Sequence, residues 1–312
     1  MTKILWAGSD QNTDRFCPTL RTALEAQMPG AQLVIGDHDP AEIDYLVYAP
    51  NGPVQDFTAF TSLKMIQSLW AGVDVILSIP DFPDIPLARM ADTGMAEGMA
   101  DYVVTHALMH HLGTSKLKDV TTETWAQFSA PPLTRTRKIA ILGLGTLGQF
   151  CAKRLLAQGF QVLGWSRSQK HIDGVTCYDG PDGLKQILGE GDTFVLLLPN
   201  TKDTENLINS ETLAAMKTGA TIINAGRGGA IDDHALIASV QSGQIAQATL
   251  DVFRTEPLPR DHGFWDEPNI VITPHIAADT RVETACEFAA ENIRRFEAAE
   301  PVIALVDRRR GY

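Results

Sequence analysis

Apolar residues along this chain alternate between short strand-like runs and stretches with helical spacing. In the first third, Lys3–Ala7 is a short apolar run, Leu20 and Leu24 share a helical face, and 33–35 and Tyr45–Tyr48 return to strand character. Segments 65–69 and 86–90 supply two more candidate strands, so the pattern predicts a small parallel sheet with helices on its faces. A longer helix is expected over 95–112, with Asp92 and Thr93 as caps and Gly113 able to take the left-handed turn that ends it. It is expected to cross into a second lobe. Segment 116–136, polar and carrying Pro131-Pro132, holds no period and reads as a loop.

From Lys138 the alternation restarts. Strands are expected at Lys138–Leu142, 161–165, 193–198, 221–224, 246–252 and 270–273, with helices at Thr146–Ala157, 210–216 and 232–242. This order predicts a parallel sheet covered on both faces. A last helix over 281–297 is expected to pack back on the first lobe.

A length of 312 residues suits two domains of roughly 100 to 200 residues each. The net charge of -12 argues against a nucleic-acid partner, because neutralising phosphates needs a clustered basic surface. Arg308-Arg309-Arg310 forms the one basic run and reads as a solvated tail. No stretch approaches the roughly 20 apolar residues of a membrane span, and the amino terminus lacks a secretory pattern, so a cytoplasmic protein without a membrane partner is expected. Cys17, Cys151, Cys177 and Cys286 are scattered without a C-x-x-C pair. They read as reduced, small apolar residues rather than metal ligands or a catalytic thiol.

The first candidate chemistry is Gly143-Leu144-Gly145-Thr146-Leu147-Gly148, set between a strand and a helix. In that context Gly143 allows a tight turn, Gly145 lets backbone approach a pyrophosphate, and Gly148 packs helix on strand. The helix start offers unpaired N–H groups and a positive dipole end to the phosphates. At the end of the next strand an NAD site would place an acid for the ribose hydroxyls, whereas this chain reads Trp165-Ser166-Arg167-Ser168. Ser166 removes the carboxylate that would repel a 2′-phosphate and Arg167 offers it charge-assisted bonds, which favours NADP(H) while leaving NAD(H) possible.

Four further segments complete a pattern: Ala71-Gly72-Val73-Asp74, Asn224-Ala225-Gly226-Arg227-Gly228-Gly229, the stretch from Leu250 to Pro259 that contains Asp251 and Glu256, and Thr273-Pro274-His275-Ile276-Ala277. Together they resemble the D-isomer-specific 2-hydroxyacid dehydrogenase family over nearly the whole chain. Leu198-Pro199-Asn200-Thr201, Asp92-Thr93-Gly94-Met95 and the ending from Val306 are similar to its bacterial glyoxylate/hydroxypyruvate reductase branch.

The resemblance implies two doubly wound parallel-sheet α/β domains, Rossmann-like and flavodoxin-like, with the active site in the cleft between them. Residues 1–92 plus 281–312 would be the substrate domain and 93–280 the NADP-binding domain. It also implies a homodimer acting on small 2-keto acids, with glyoxylate and hydroxypyruvate expected. Arg227 would hold the substrate carboxylate and polarise the keto oxygen. His275 would protonate that oxygen, and Glu256 would pair with the other imidazole nitrogen to fix the ring. Leu198 and Pro199 would line the cofactor, Asp251 would bond its carboxamide, and the backbone at Ala71 and Gly72 would meet the substrate carboxylate. Two positions depart from the family pattern: Gly226 stands where a slightly larger residue is common, and Trp70 replaces a smaller one. Trp70 could wall the substrate cavity, although a place in the core is the commoner fate of a tryptophan. A relative with a larger substrate and a dinucleotide-sensing scaffold are the competing expectations.

Overall fold

The computed structural model describes residues 1–114, 125, 130–309 and 311. Most of the expected loop over 116–136 therefore lies outside the described residues, as does Arg310 of the basic run. The chain divides into two compact units, Met1–Met95 with Thr280–Tyr312, and Ala96–Asp279.

The first unit holds β1 (Lys3–Ala7), α1 (Asp10–Gln27), β2 (Gln32–Val34), β3 (Tyr45–Tyr48), β4 (Met65–Ser68), the short α2 (Asp74–Leu77) and β5 (Leu87–Ala88). Its sheet runs β2-β1-β3-β4-β5 with all pairings parallel. β3 and β4 are buried at every position, as expected of strands covered on both faces. In α1, Phe16, Cys17, Leu20, Ala23 and Leu24 form one apolar stripe. It packs on the late helix α8 (Val282–Glu297), whose Ala285, Cys286, Ala289 and Ala290 let the two backbones approach. Fully burying Leu20 or Ile293 is worth about 1.5–3 kcal/mol each. Asn292 ties α8 to the sheet, its Nδ2 donating to Gln67 Oε1 at 2.7 Å and its Oδ1 accepting from the Ile303 N–H at 2.9 Å. The last helix thus packs on the first unit, as its sequence predicts.

The second unit begins within α3 (Thr93–Leu112). Asp92 Oδ2 caps that helix by accepting from the Gly94 N–H at 3.1 Å, and Gly113 beyond it has φ of 66°. There follow β6 (Lys138–Leu142), α4 (Thr146–Ala157), β7 (Gln161–Ser166), β8 (Val175–Asp179), α5 (Gly180–Glu190) and β9 (Thr193–Leu196). The unit ends with α6 (Ser210–Ala215), β10 (Ala220–Asn224), α7 (Asp233–Gln241), β11 (Ile245–Leu250) and β12 (Ile270–Ile272). The sheet order is β12-β11-β10-β9-β6-β7-β8, again parallel throughout. The chain runs outward from β6 to β8 and then returns to β9 on the other side of β6. That reversal is where open α/β sheets bind ligands, beyond the carboxyl ends of the strands.

β8 and α5 lie outside the predicted elements. β8 is an edge strand with exposed and half-buried positions, so no apolar run marks it. α5 carries Pro181, Gly183 and Gly189, which weaken the helical signal although Ile187 and Leu188 are buried. Among the described residues, no helix is long and apolar enough to cross a membrane.

Candidate active site

Register brings the candidate loops to one edge. Trp165, Leu142, Leu196, Asn224, Leu250 and Ile272 stand side by side across six adjacent strands. The glycine loop, the Leu198-Pro199 loop, the Arg227 turn, the Asp251–Glu256 segment and the His275 loop therefore all leave the same carboxyl edge of the sheet. At about 4.8 Å per strand, the step from Leu142 to Ile272 spans about 19 Å.

The glycine loop is built as its sequence requires. Gly143 has φ of 112°, and a Cβ there would meet the Leu197 carbonyl oxygen at 2.5 Å. A Cβ on Gly148 would lie 2.0 Å from the Gly143 oxygen, so α4 can close on the loop only with hydrogen at this position. Gly145, the N-cap of α4, has open space where a Cβ would stand. Having no side chain, it leaves the first-turn N–H groups facing outward beside the exposed Thr146, while Leu147 is half-buried. This cradle fits a diphosphate. Ser166 ends β7 with its hydroxyl donating to the Ser168 carbonyl at 2.8 Å, and Arg167 and Ser168 are exposed.

The Arg227 turn is bracketed by one buried amide. Asn224 Oδ1 accepts from the Gly226 N–H at 3.2 Å, and its Nδ2 donates to the Arg227 carbonyl at 3.1 Å. A Cβ on Gly226 would lie 2.7 Å from the Leu198 backbone nitrogen, which explains glycine at this departure from the family pattern. Leu198 keeps its side chain in the core, with Pro199 half-buried beside it. Arg227 is half-buried, with Nη1 donating to the Gly226 carbonyl at 2.7 Å.

His275 and Glu256 meet directly, Nδ1 to Oε2 at 2.7 Å. Glu256 Oε1 accepts from the Phe253 N–H at 2.9 Å, which holds the carboxylate in place. The His275 ring is half-exposed, and Nε2 has no hydrogen-bond partner among the described residues. Its backbone has φ of 54°, uncommon for a residue with a side chain. Asp251 is buried, and its carboxylate organises this loop: Oδ1 accepts from the Thr273 hydroxyl at 2.6 Å and the Ile276 N–H at 2.9 Å, and Oδ2 from the Ala277 N–H at 2.9 Å. Three of its roughly four lone-pair sites are thus taken.

In the first unit, Trp70, Ala71 and Gly72 follow the carboxyl end of β4. Trp70 is 36% exposed rather than a core residue, and its backbone is fixed through Ser68 and Met90.

The family model for the NAD binding domain of D-isomer specific 2-hydroxyacid dehydrogenases matches residues 104–277, more than half of the chain. The chain belongs to the D-isomer specific 2-hydroxyacid dehydrogenase family. As a member it is an NAD(P)-dependent oxidoreductase. It is 39% identical over 302 residues to a glyoxylate/hydroxypyruvate reductase A of Salmonella heidelberg (strain SL476), covering 93% of this chain and 95% of that one. A family member from Xanthobacter autotrophicus Py2, solved with NADPH and MES, is similar at a TM-score of 0.91 and 36% identity, covering 100% of this chain and 99% of that one. An NADPH-dependent glyoxylate/hydroxypyruvate reductase from Sinorhizobium meliloti, solved with NADP and sulfate, gives a TM-score of 0.88 and 32% identity, with 100% of each chain covered.

Sequence reasoning missed several supports of the family constellation. Asn224 opens one of the family segments in the sequence, but its bracketing of the Arg227 turn was not legible there. Arg254 donates to the Gly229 and Ile231 carbonyls at 3.1 and 2.5 Å, joining the turn that bears Arg227 to the segment that bears Glu256. Tyr102 and Thr273 are linked to Asp251. For Tyr102, His106 and His110, spacing of four residues on α3 was the available signal.

Proposed function

We propose that this protein reduces small 2-keto acids with NADPH, taking glyoxylate to glycolate and hydroxypyruvate to D-glycerate. The observation that carries the reading is the 2.7 Å pairing of His275 with Glu256 on the sheet edge that also bears the glycine loop and Arg227. When bound, NADPH supplies the hydride. Gly143, Gly145, Thr146, Leu147 and Gly148 cradle its diphosphate, Leu198 and Pro199 line it, and Ser166, Arg167 and Ser168 take its 2′-phosphate. With Asp251 already accepting three protein donors, at most one lone-pair site is left for a carboxamide, so its main work is to shape the His275 loop.

Arg227 binds the substrate carboxylate and polarises the keto oxygen, since a guanidinium fork provides two directed charge-assisted bonds. His275, with Nδ1 engaged by Glu256, delivers the proton to that oxygen from Nε2, a step worth about 10²–10⁴ in rate. Trp70, Ala71 and Gly72 contact the substrate, a role that the exposure of Trp70 supports. Unit Ala96–Asp279 serves the cofactor and unit Met1–Met95 with Thr280–Tyr312 the substrate. The protein works as a homodimer in the cytoplasm, where four unpaired cysteines are at home.

The test is a spectrophotometric panel of glyoxylate, hydroxypyruvate, pyruvate and phosphohydroxypyruvate with NADPH and NADH. Highest kcat/KM for one of the first two with NADPH is expected. Preference for a larger acid would move the substrate assignment, and absence of turnover with all four would overturn the reading.

A further inference from the structure

One face of α3 carries Tyr102, His106 and His110 at intervals of four residues, and this face meets the carboxyl ends of β11 and β12. His110 Nε2 lies 2.9 Å from Thr249 Oγ1, and the rings of Tyr102 and His106 are 4.3 Å apart. The Tyr102 hydroxyl lies 2.7 Å from Thr273 Oγ1. Direction follows from proton counting. A carboxylate only accepts, so the single Thr273 hydroxyl proton goes to Asp251 Oδ1 at 2.6 Å. Tyr102 must then donate to Thr273. Burial pushes the Tyr102 phenol above its ordinary range, which keeps that proton in place.

From Asp251 the bonds fan out around His275. Its carboxylate accepts from the Ile276 and Ala277 N–H groups, and its carbonyl accepts from the His275 N–H at 3.0 Å. A left-handed residue other than glycine costs energy and persists only where its surroundings over-determine it. Here the next two residues and its own N–H are all held by Asp251.

We propose that Tyr102 and Thr273 are positioning residues, a donor chain from α3 through Asp251 that fixes the left-handed backbone of His275 and so aims its imidazole. The inference rests on the proposed role of His275, on which Tyr102 and Thr273 act through Asp251.

The test compares the wild-type protein with Tyr102→Phe, Thr273→Val and Thr273→Ser. Losing a neutral donor should lower kcat by about 2- to 10-fold in Tyr102→Phe, and Thr273→Val, which deprives Asp251 directly, should lower it by about 10- to 100-fold. Thr273→Ser keeps the hydroxyl and should restore kcat to within about 2-fold of wild type. KM for NADPH should stay constant across the series. Amide hydrogen exchange at Ile276 and Ala277 should quicken in the Tyr102→Phe and Thr273→Val proteins, a readout independent of turnover. Unchanged kcat and unchanged exchange in both of those variants would overturn the inference. So would a Thr273→Ser protein as impaired as Thr273→Val. An inactive wild type with exchange quickened as expected would instead overturn the function while leaving the donor chain standing.

Discussion

His275 presents Nδ1 to Glu256 Oε2 at 2.7 Å, so one imidazole nitrogen is spoken for and the other is left open. Replacing His275 by Ala should lower kcat by at least about 100-fold while NADPH still binds with near-normal affinity, because the proposed proton donor is lost and the proposed phosphate cradle is untouched. Stopped-flow turnover beside a fluorescence titration of NADPH separates the two. A near-normal rate would remove His275 from the chemistry.

Coenzyme choice is assigned to the end of β7, where Ser166 stands in place of an acid and Arg167 is exposed. Ser166→Asp places a carboxylate where it repels a 2′-phosphate and accepts from ribose hydroxyls. Selectivity, measured as the ratio of kcat/KM for NADPH to that for NADH, should fall by about tenfold or more, with Arg167→Gln acting in the same direction. An unchanged ratio in both variants would move phosphate recognition elsewhere.

His110 gives a stability prediction. Burial, reinforced by the neighbouring His106, holds it down at about 3. The unfolded chain takes up its proton near pH 6.5 and the folded one does not, so this contribution is intact above pH 6.5 and shrinks as the pH falls toward 3. At pH 5 the 1.5-unit interval below 6.5, at 1.36 kcal/mol per unit, amounts to about 2 kcal/mol. His106 and His111 are also lowered by burial and act in the same sense, Asp251 opposing the shift at His106 and Arg137 adding to that at His111. The urea midpoint should fall between pH 8 and pH 5, and by less in His110→Gln. Equal falls in the two proteins would exclude His110 as a contributor.

The elements that were legible are those with a strong period and burial on both faces. The bounds of β1, β3, β6 and α4 follow from the apolar runs, and the Gly143 loop from its place between strand and helix. β8 escaped because an edge strand need not be apolar, and α5 because glycine and proline mask its buried stripe. At the candidate site, motifs single out Arg227, Glu256 and His275. The residues that orient them had no such role assigned, although Asn224 and Arg254 lie inside two of those motifs. Asn224, Arg254 and Tyr102 act through hydrogen bonds to positions 2 to 171 residues away, and the longest of these is set by tertiary contact rather than by local pattern.

The division of the chain also sets an order of events during synthesis. Residues 280–312 supply the helix that covers α1 and the Asn292 amide that satisfies Gln67, yet they are made only after the 184 residues from 96 to 279. At translation speeds of about 5–20 residues per second, that interval lasts about 10–40 s. Of the two units, the one whose synthesis starts earlier is therefore the one that finishes later, its α1 stripe uncovered in the meantime, and chaperone demand should fall on it rather than on residues 96–279.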